Sequence, residues 1–139
     1  ITQVEKERIK VDQAFIGSCT NGRMEDFRMA ARILRGKKVH ANTRLIATPA
    51  SQAIWQECMK EGIWDILADA GTLVTHSTCG VCFGGHLGLL GDGEVSISST
   101  NRNFRGRQGS PKASIYLANP ATVAASAVEG YITDPRRFL

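Results

Sequence analysis

The fold is decided by residues 11–22, VDQAFIGSCTNG, and by the helix-like pattern that follows them. The apolar first half predicts a strand over Val11–Ile16, and the small polar residues after it predict a turn that contains Cys19. Apolar residues then recur at helical spacing over Arg23–Leu34, and Gly36 ends the pattern. This stretch therefore predicts a strand, a cysteine-bearing loop and a helix, in that order.

Strands and helices alternate along the rest of the chain. Strands are predicted over 43–48, 72–75, 94–99 and 114–118, and helices over 51–60, 63–70 and 119–129. This alternation is typical of right-handed βαβ units, so we expect an α/β fold with three layers, α/β/α, around a mainly parallel sheet. We find no linker, and we treat residues 1–139 as one domain.

The composition indicates a globular protein, because 42% of the residues are hydrophobic and 22% are charged. No apolar run approaches the roughly 20 residues that cross a bilayer, and the first ten residues lack a signal peptide's apolar centre, so we expect a cytoplasmic protein. The net charge of +4 raises the question of nucleic acid. However, the basic residues are mostly scattered and do not alternate with aromatic residues. A solvated basic surface, or the binding of small anions, explains the charge as well.

A second cysteine segment, THSTCGVCFGGH at residues 75–86, follows a predicted strand and holds Cys79 and Cys82. Cys19 also follows a strand, and in a parallel sheet the loops after the strands gather at one edge. Three thiolates at that edge can bind an iron–sulfur cluster or zinc, and zinc would need a fourth ligand such as His76 or His86. A redox pair or inert thiols are the remaining alternatives, although the glycines after Cys82 disfavour the helix that a thioredoxin-like site would need.

Three further features concern Cys58, a cluster of arginines and His40. Cys58 lies among apolar residues on a predicted helix, which indicates a thiol of the core. Arg102, Arg105 and Arg107 lie in one loop after a predicted strand and can present guanidinium groups to carboxylates or phosphates. The alternative is a solvated basic loop. His40 follows two lysines and is expected to be exposed.

Four motifs, in this order and spacing, resemble the aconitase superfamily, in the branch of 3-isopropylmalate dehydratase large subunits and homoaconitases. They are IGSCTNGR at 16–23, CGVC at 79–82, STNRNFRGR at 99–107 and NPATVAASA at 119–127. The resemblance covers nearly the whole chain. Several separated motifs in register are far more specific than a single Cys-x-x-Cys pair.

The resemblance implies a cofactor and a set of site residues. Cys19, Cys79 and Cys82 would bind three irons of a 4Fe-4S cluster, and the fourth iron, without a protein ligand, would act as a Lewis acid on the substrate. Asn101 would hydrogen-bond near the cluster. Substrate carboxylates would be held by two arginines, Arg102 and Arg107. The implied reaction is that of a hydro-lyase, which isomerises 2-isopropylmalate and 3-isopropylmalate by dehydration and rehydration, a step of leucine biosynthesis.

The resemblance also implies partners, because the large subunits of this family are much longer than 139 residues. We expect the chain to be the C-terminal, cluster-bearing domain of such a subunit, and to be inactive without the N-terminal part and the small subunit, which carries the catalytic base. No catalytic base is identifiable in the chain itself. Homoaconitate, citraconate and citrate remain alternative substrates. A different class also remains open, a zinc-stabilised module that binds anions or nucleic acid.

Overall fold

The structure, a computed structural model, describes residues 8–17, 22–77, 90–99 and 112–138. These residues form five strands, four α-helices and a short 3₁₀ helix at 135–138. The strands are β1 (Gln13–Gly17), β2 (Arg44–Thr48), β3 (Leu73–Val74), β4 (Val95–Ser98) and β5 (Ser114–Leu117). The helices are α1 (Met24–Leu34), α2 (Gln52–Lys60), α3 (Ile63–Ala70) and α4 (Pro120–Glu129).

All five strands pair in parallel, in the order β3-β2-β1-β4-β5. The chain therefore moves outward from β1 through β2 to β3, and then returns to the other side of β1 for β4 and β5. The direction reverses between β1 and β4, where Phe15 is in register with Ser98. In open parallel sheets, ligands bind beyond the carboxyl ends of the strands at such a reversal.

Local sequence signals account for the helix boundaries. The Ile54 backbone N–H donates to Ser51 Oγ (3.2 Å) at the start of α2. At the start of α4, the Thr122 N–H donates to Asn119 Oδ1 (2.8 Å), and Pro120 occupies the first turn. Both are N-caps, which provide an acceptor for backbone donors that the first helical turn leaves unpaired. α4 ends at Gly130, whose positive φ of 84° closes the helix in the left-handed conformation.

The helices pack on one face of the sheet. α1 lies between α3 and α4 and contacts both, and α4 also packs on β1 and β4. Strand residues such as Ala14, Leu45 and Ile97 point into this layer and are at most 2% exposed. The buried residues that the helices contribute to the same core cluster are Phe27, Ala30, Ala31, Ile33, Leu34, Cys58, Ile63, Trp64, Leu67, Ala70, Val123, Ala124, Ala125 and Ala127.

The other face of the sheet carries a row of residues in register across all five strands. The row is Leu73, Ile46, Phe15, Ser98 and Leu117. Its middle members Phe15 and Ile46 are buried and form a separate small cluster, whereas Leu73 and Leu117 at the two sheet edges are 56% and 45% exposed. No helix of the described residues contributes to that small cluster.

The predicted α/β class with a parallel sheet is confirmed. Each predicted strand and helix is found, with ends that differ by at most two residues, as for β1, which was predicted from Val11 and begins at Gln13. A second helical layer of the expected α/β/α arrangement is not among the described residues. The one-domain prediction stays a prediction.

The C-terminal residues dock against the N-terminal part of the described chain. Lys10 pairs with Tyr131 in an antiparallel bridge, and the Ile132 N–H donates to the Ile9 carbonyl (2.9 Å). The 3₁₀ helix at 135–138 packs on α4. Among the residues that the structure covers, no helix has the length and hydrophobicity needed to cross a membrane.

Candidate functional site

The candidate site is predicted at the carboxyl edge of the sheet, where the chain leaves β1, β3 and β4. Cys19 comes two residues after the end of β1, Cys79 comes five residues after β3, and Asn101 comes three residues after β4. The predicted site residues all lie outside the described residues, so their roles stay predictions. They are Cys19, Cys79, Cys82, Asn101, Arg102 and Arg107. The same applies to Arg105 and His86.

The ends of β1 and β4 are joined by hydrogen bonds at the point of strand reversal. The Gly17 N–H donates to Ser99 Oγ (3.0 Å) in a buried contact, and the Ser99 N–H donates to the Phe15 carbonyl (3.0 Å). These bonds hold together the two backbone positions from which the chain runs toward Cys19 and Asn101. Sequence reasoning assigned no role to Ser99. Its position directly after an alternating strand was the available signal.

Gly17 is required at the end of β1 by both conformation and space. Its φ is +131°, a backbone angle that residues with a side chain rarely adopt. A Cβ atom at this position would lie 1.8 Å from the Thr48 carbonyl oxygen. The backbones of β1 and β2 therefore approach each other more closely than any other residue would allow. A glycine at the boundary between a strand and a cysteine turn is the sequence signal for such an approach.

The ends of β2 and β3 are joined through two threonines. Thr48 Oγ1 and Thr75 Oγ1 lie 2.6 Å apart, and the Thr75 N–H donates to the Ala47 carbonyl (3.0 Å). Thr75 Oγ1 also donates to the His76 carbonyl (3.0 Å), so the Thr48 hydroxyl is left to donate to Thr75. These contacts fix the first residues after β3.

Two helix N-termini lie at the same edge, because α1 follows β1 and α4 follows β5. A cavity of about 330 Å³ lies between them, lined by Glu25, Asp26, Met29, Asn119, Pro120 and Ala121. Burial of the Asp26 carboxylate has the largest effect on its pKa and raises it. The hydrogen bond that this carboxylate accepts from the Arg23 N–H (3.2 Å) lowers the pKa by a smaller amount. The carboxylates of Glu25 and Asp26 repel anions and so counteract the attraction that the helix N-termini exert on them.

The prediction that Cys58 is a core thiol is confirmed. Its side chain is buried, with Sγ 3.6 Å from Met24 Sδ, and desolvation raises its pKa to about 12. A thiol with that pKa is almost fully protonated at neutral pH and is a poor metal ligand or nucleophile. His40 is exposed, as expected. Within the described ranges, no group of three or more His, Cys, Asp or Glu side chains is arranged to hold a metal ion.

Comparison with known proteins identifies the class to which this fold and site belong. The aconitase family (aconitate hydratase) matches residues 2–130, which is most of the chain. The chain therefore belongs to the aconitase family.

Within that family, the chain is similar to proteins named 3-isopropylmalate dehydratase large subunit. It is 58% identical to that of Sulfurimonas denitrificans over 136 residues, 98% of this chain and 32% of the relative. The corresponding protein of Aliarcobacter butzleri is 59% identical over 136 residues, with the same coverage. That of Mycolicibacterium smegmatis is 57% identical over 97% of this chain and 32% of the relative. The chain spans about a third of the length of these relatives.

Proposed function

We propose that this chain is the cluster-bearing part of a hydro-lyase that isomerises 2-isopropylmalate and 3-isopropylmalate by dehydration and rehydration. The observation that carries the proposal is the 58% identity, across 98% of the chain, to a protein named 3-isopropylmalate dehydratase large subunit. Because the chain covers only 32% of that relative, we assign the activity to the assembled enzyme. The chain contributes one part of its active site.

The separation of the strand ends supports binding of one cluster by Cys19 and Cys79. β2 separates β1 from β3, so their ends are about 10 Å apart at the usual strand spacing. Cys19 lies two residues beyond Gly17, and an extended chain of two residues reaches about 7 Å. Cys79 lies five residues beyond Val74, and an extended chain of five residues reaches about 17 Å. The two thiols are therefore within reach of a common point. Thiolates are the ligands that iron–sulfur clusters require, so the donor set fits a 4Fe-4S cluster.

In this proposal Cys19, Cys79 and Cys82 would hold the cluster by three of its irons. When bound, the cluster supplies an iron without a protein ligand, a Lewis acid toward the hydroxyl and carboxylate groups of the substrate. Cys58 takes no part, because its buried thiol with a pKa of about 12 does not supply a thiolate.

The polar residues of the segment after β4 would orient the substrate. Arg102 and Arg107 would bind substrate carboxylates through paired N–H donors and so fix which carbon faces the cluster. Asn101 would donate a hydrogen bond near the cluster. The bond between Gly17 and Ser99 supports this arrangement, since it holds the starts of the two segments side by side.

In this proposal the enzyme also needs groups from outside this chain. We propose that the N-terminal part of the large subunit and a separate small subunit complete the site, and that the small subunit supplies the base that removes the proton. The names of the relatives, which are large subunits, support a two-subunit enzyme. The isolated chain would then bind the cluster without turnover. A cytoplasmic location stays a prediction.

The first test is anaerobic reconstitution of the chain with ferrous iron and sulfide. We expect about four irons and four sulfides per chain, and loss of most of this iron in Cys19→Ala. Cys58→Ala is the matched control, because it removes a thiol that is not a proposed ligand, and it should load like the unchanged chain. Stoichiometric zinc without iron loading would contradict the proposal and favour the zinc-stabilised module. Full iron loading of Cys19→Ala would show that Cys19 is not a cluster ligand.

The second test concerns activity and substrate. The chain is combined with the missing part of the large subunit and a small subunit, and isopropylmalate, homoaconitate, citraconate and citrate are compared as substrates. We expect the highest kcat/KM with isopropylmalate and no turnover by the chain alone. Turnover by the isolated chain would refute its dependence on partners.

A further inference from the structure

A stacked ring pair joins the helical layer to the segment that leads from β3 toward Cys79. The indole of Trp55, in α2, lies over the imidazole of His76 with ring centroids 4.9 Å apart and an interplanar angle of 20°. Trp55 is partly buried, whereas His76 is exposed and lies two residues beyond the end of β3. Aromatic pairs at this separation stabilise each other beyond the effect of buried area alone.

Trp55 is firmly held on its own side of the pair. The buried Trp64 donates its indole Nε1–H to the Trp55 carbonyl (2.9 Å), and Trp64 packs edge-on against Phe27 with centroids 5.1 Å apart. The Trp55 N–H donates to the carbonyl of Ser51, the N-cap of α2 (3.0 Å). The backbone of Trp55 is therefore tied to the core, and its partly buried side chain packs against the main core cluster.

His76 has less support from the sheet, because β3 is only two residues long. Beyond β3, the backbone is held by the Thr75 N–H to Ala47 and by the Thr75 hydroxyl bonded to the His76 carbonyl. The stack on Trp55 is the next constraint along the chain and the last one described before Cys79, three residues further on. The stack therefore restrains the chain at a point where β3 no longer pairs with the sheet.

We propose that Trp55, through its stack on His76, is a positioning residue that fixes the start of the segment carrying Cys79 and Cys82. Restricting that segment before metal binds reduces the conformational entropy lost when the thiolates gather around the metal. The inference rests on the proposed function in one respect, that these cysteines are metal ligands. It adds a contact from α2 that none of the motifs contains.

The test uses Co²⁺ as a probe, because it binds thiolates whether or not the chain accepts an iron–sulfur cluster. The apo chain is titrated anaerobically, and the thiolate-to-cobalt absorption gives the affinity. A stacked pair of typical strength predicts that Trp55→Ala weakens Co²⁺ binding about two- to tenfold. Trp55→Phe, which retains an aromatic face, should recover most of the affinity.

Four further variants separate positioning from other effects. His76→Phe keeps the stack and removes the ring nitrogens, so it should bind Co²⁺ like the unchanged chain, and His76→Ala should match Trp55→Ala. The double variant Trp55→Ala/His76→Ala should be no weaker than either single variant, because both remove the same contact. Met59→Ala, at an exposed position of the same helix, is the control and should have no effect.

The outcomes distinguish failure of the inference from failure of the proposed function. Unchanged Co²⁺ affinity in Trp55→Ala, equal losses in Trp55→Phe and Trp55→Ala, or additive losses in the double variant would overturn the inference. A large loss in His76→Phe would overturn it too, since His76 would then be a ligand. If the unchanged chain binds neither Co²⁺ nor iron, the proposed function fails and the inference fails with it. Co²⁺ binding that depends on Trp55, without iron loading, would refute only the proposed cluster.

Discussion

Replacement of Gly17 by alanine should be among the most damaging single changes in the chain. The added Cβ would lie 1.8 Å from the carbonyl oxygen and 2.8 Å from the carbonyl carbon of Thr48, both backbone atoms of the neighbouring strand. A side chain at a φ of +131° adds backbone strain of about 1–3 kcal/mol. Displacing packed backbone adds about 1–3 kcal/mol more. We therefore expect Gly17→Ala to lower the free energy of unfolding by about 2–6 kcal/mol, a large share of the stability of an ordinary domain.

Gly62→Ala provides the matched control. Gly62 also has a positive φ, +74°, but nothing lies within 4 Å of the position its Cβ would take. Only the conformational cost remains, about 1–2 kcal/mol. Urea unfolding of the apo chain, followed by tryptophan fluorescence and circular dichroism, measures both variants. If Gly17→Ala and Gly62→Ala differ by less than about 1 kcal/mol, the close approach of β1 and β2 is not a constraint and the reasoning is refuted.

Three further predictions concern single side chains. Ser99→Ala should cost about 1–3 kcal/mol in urea unfolding, because the buried Gly17 N–H loses its acceptor; a cost near zero would contradict that role. Hydrogen bonds from Arg136 lower the pKa of Asp134 to about 2. The ionised Asp134 carboxylate therefore stabilises the fold fully above the unfolded pKa of about 3.9, and this stabilisation is lost as the pH falls through 2. Asp134→Asn should flatten the pH dependence of unfolding between about pH 4 and pH 2, and a carboxyl titration midpoint near 4 by NMR would refute this. At pH 8, iodoacetamide should modify Cys58 roughly a thousandfold more slowly in the folded chain than in urea, as measured by mass spectrometry, and equal rates would show that its thiol is not buried.

The positions of the secondary-structure elements could be predicted because their signals are local. Apolar spacing defined α1, and the caps Ser51 and Asn119 marked the starts of α2 and α4. These signals involve residues within one or two helical turns of each other, so they can be read directly from the sequence. The buried state of Cys58 was predictable for the same reason, since it lies on the apolar face of a helix.

The contacts that organise the candidate site could not be predicted in the same way. The bond between Gly17 and Ser99 joins residues 82 positions apart, and the stack of Trp55 on His76 joins a helix to the end of a different strand. In neither pair does the local sequence around one residue indicate which residue it will contact. Nothing in the sequence around Trp55 indicated that its ring would contact His76.

By itself, the sequence determined the element order, the helix ends, the three cysteines and arginine-rich loop proposed for the site, and a resemblance to the family that comparison then confirmed. Only the tertiary structure decided the strand order β3-β2-β1-β4-β5, and with it the strand reversal beside Gly17 and Ser99. The physical reason is the range of the interactions. Helix caps and apolar periodicity act between near neighbours in the chain, whereas strand pairing, the close approach at Gly17 and the stack on His76 depend on residues that meet only when the sheet and its helices are assembled.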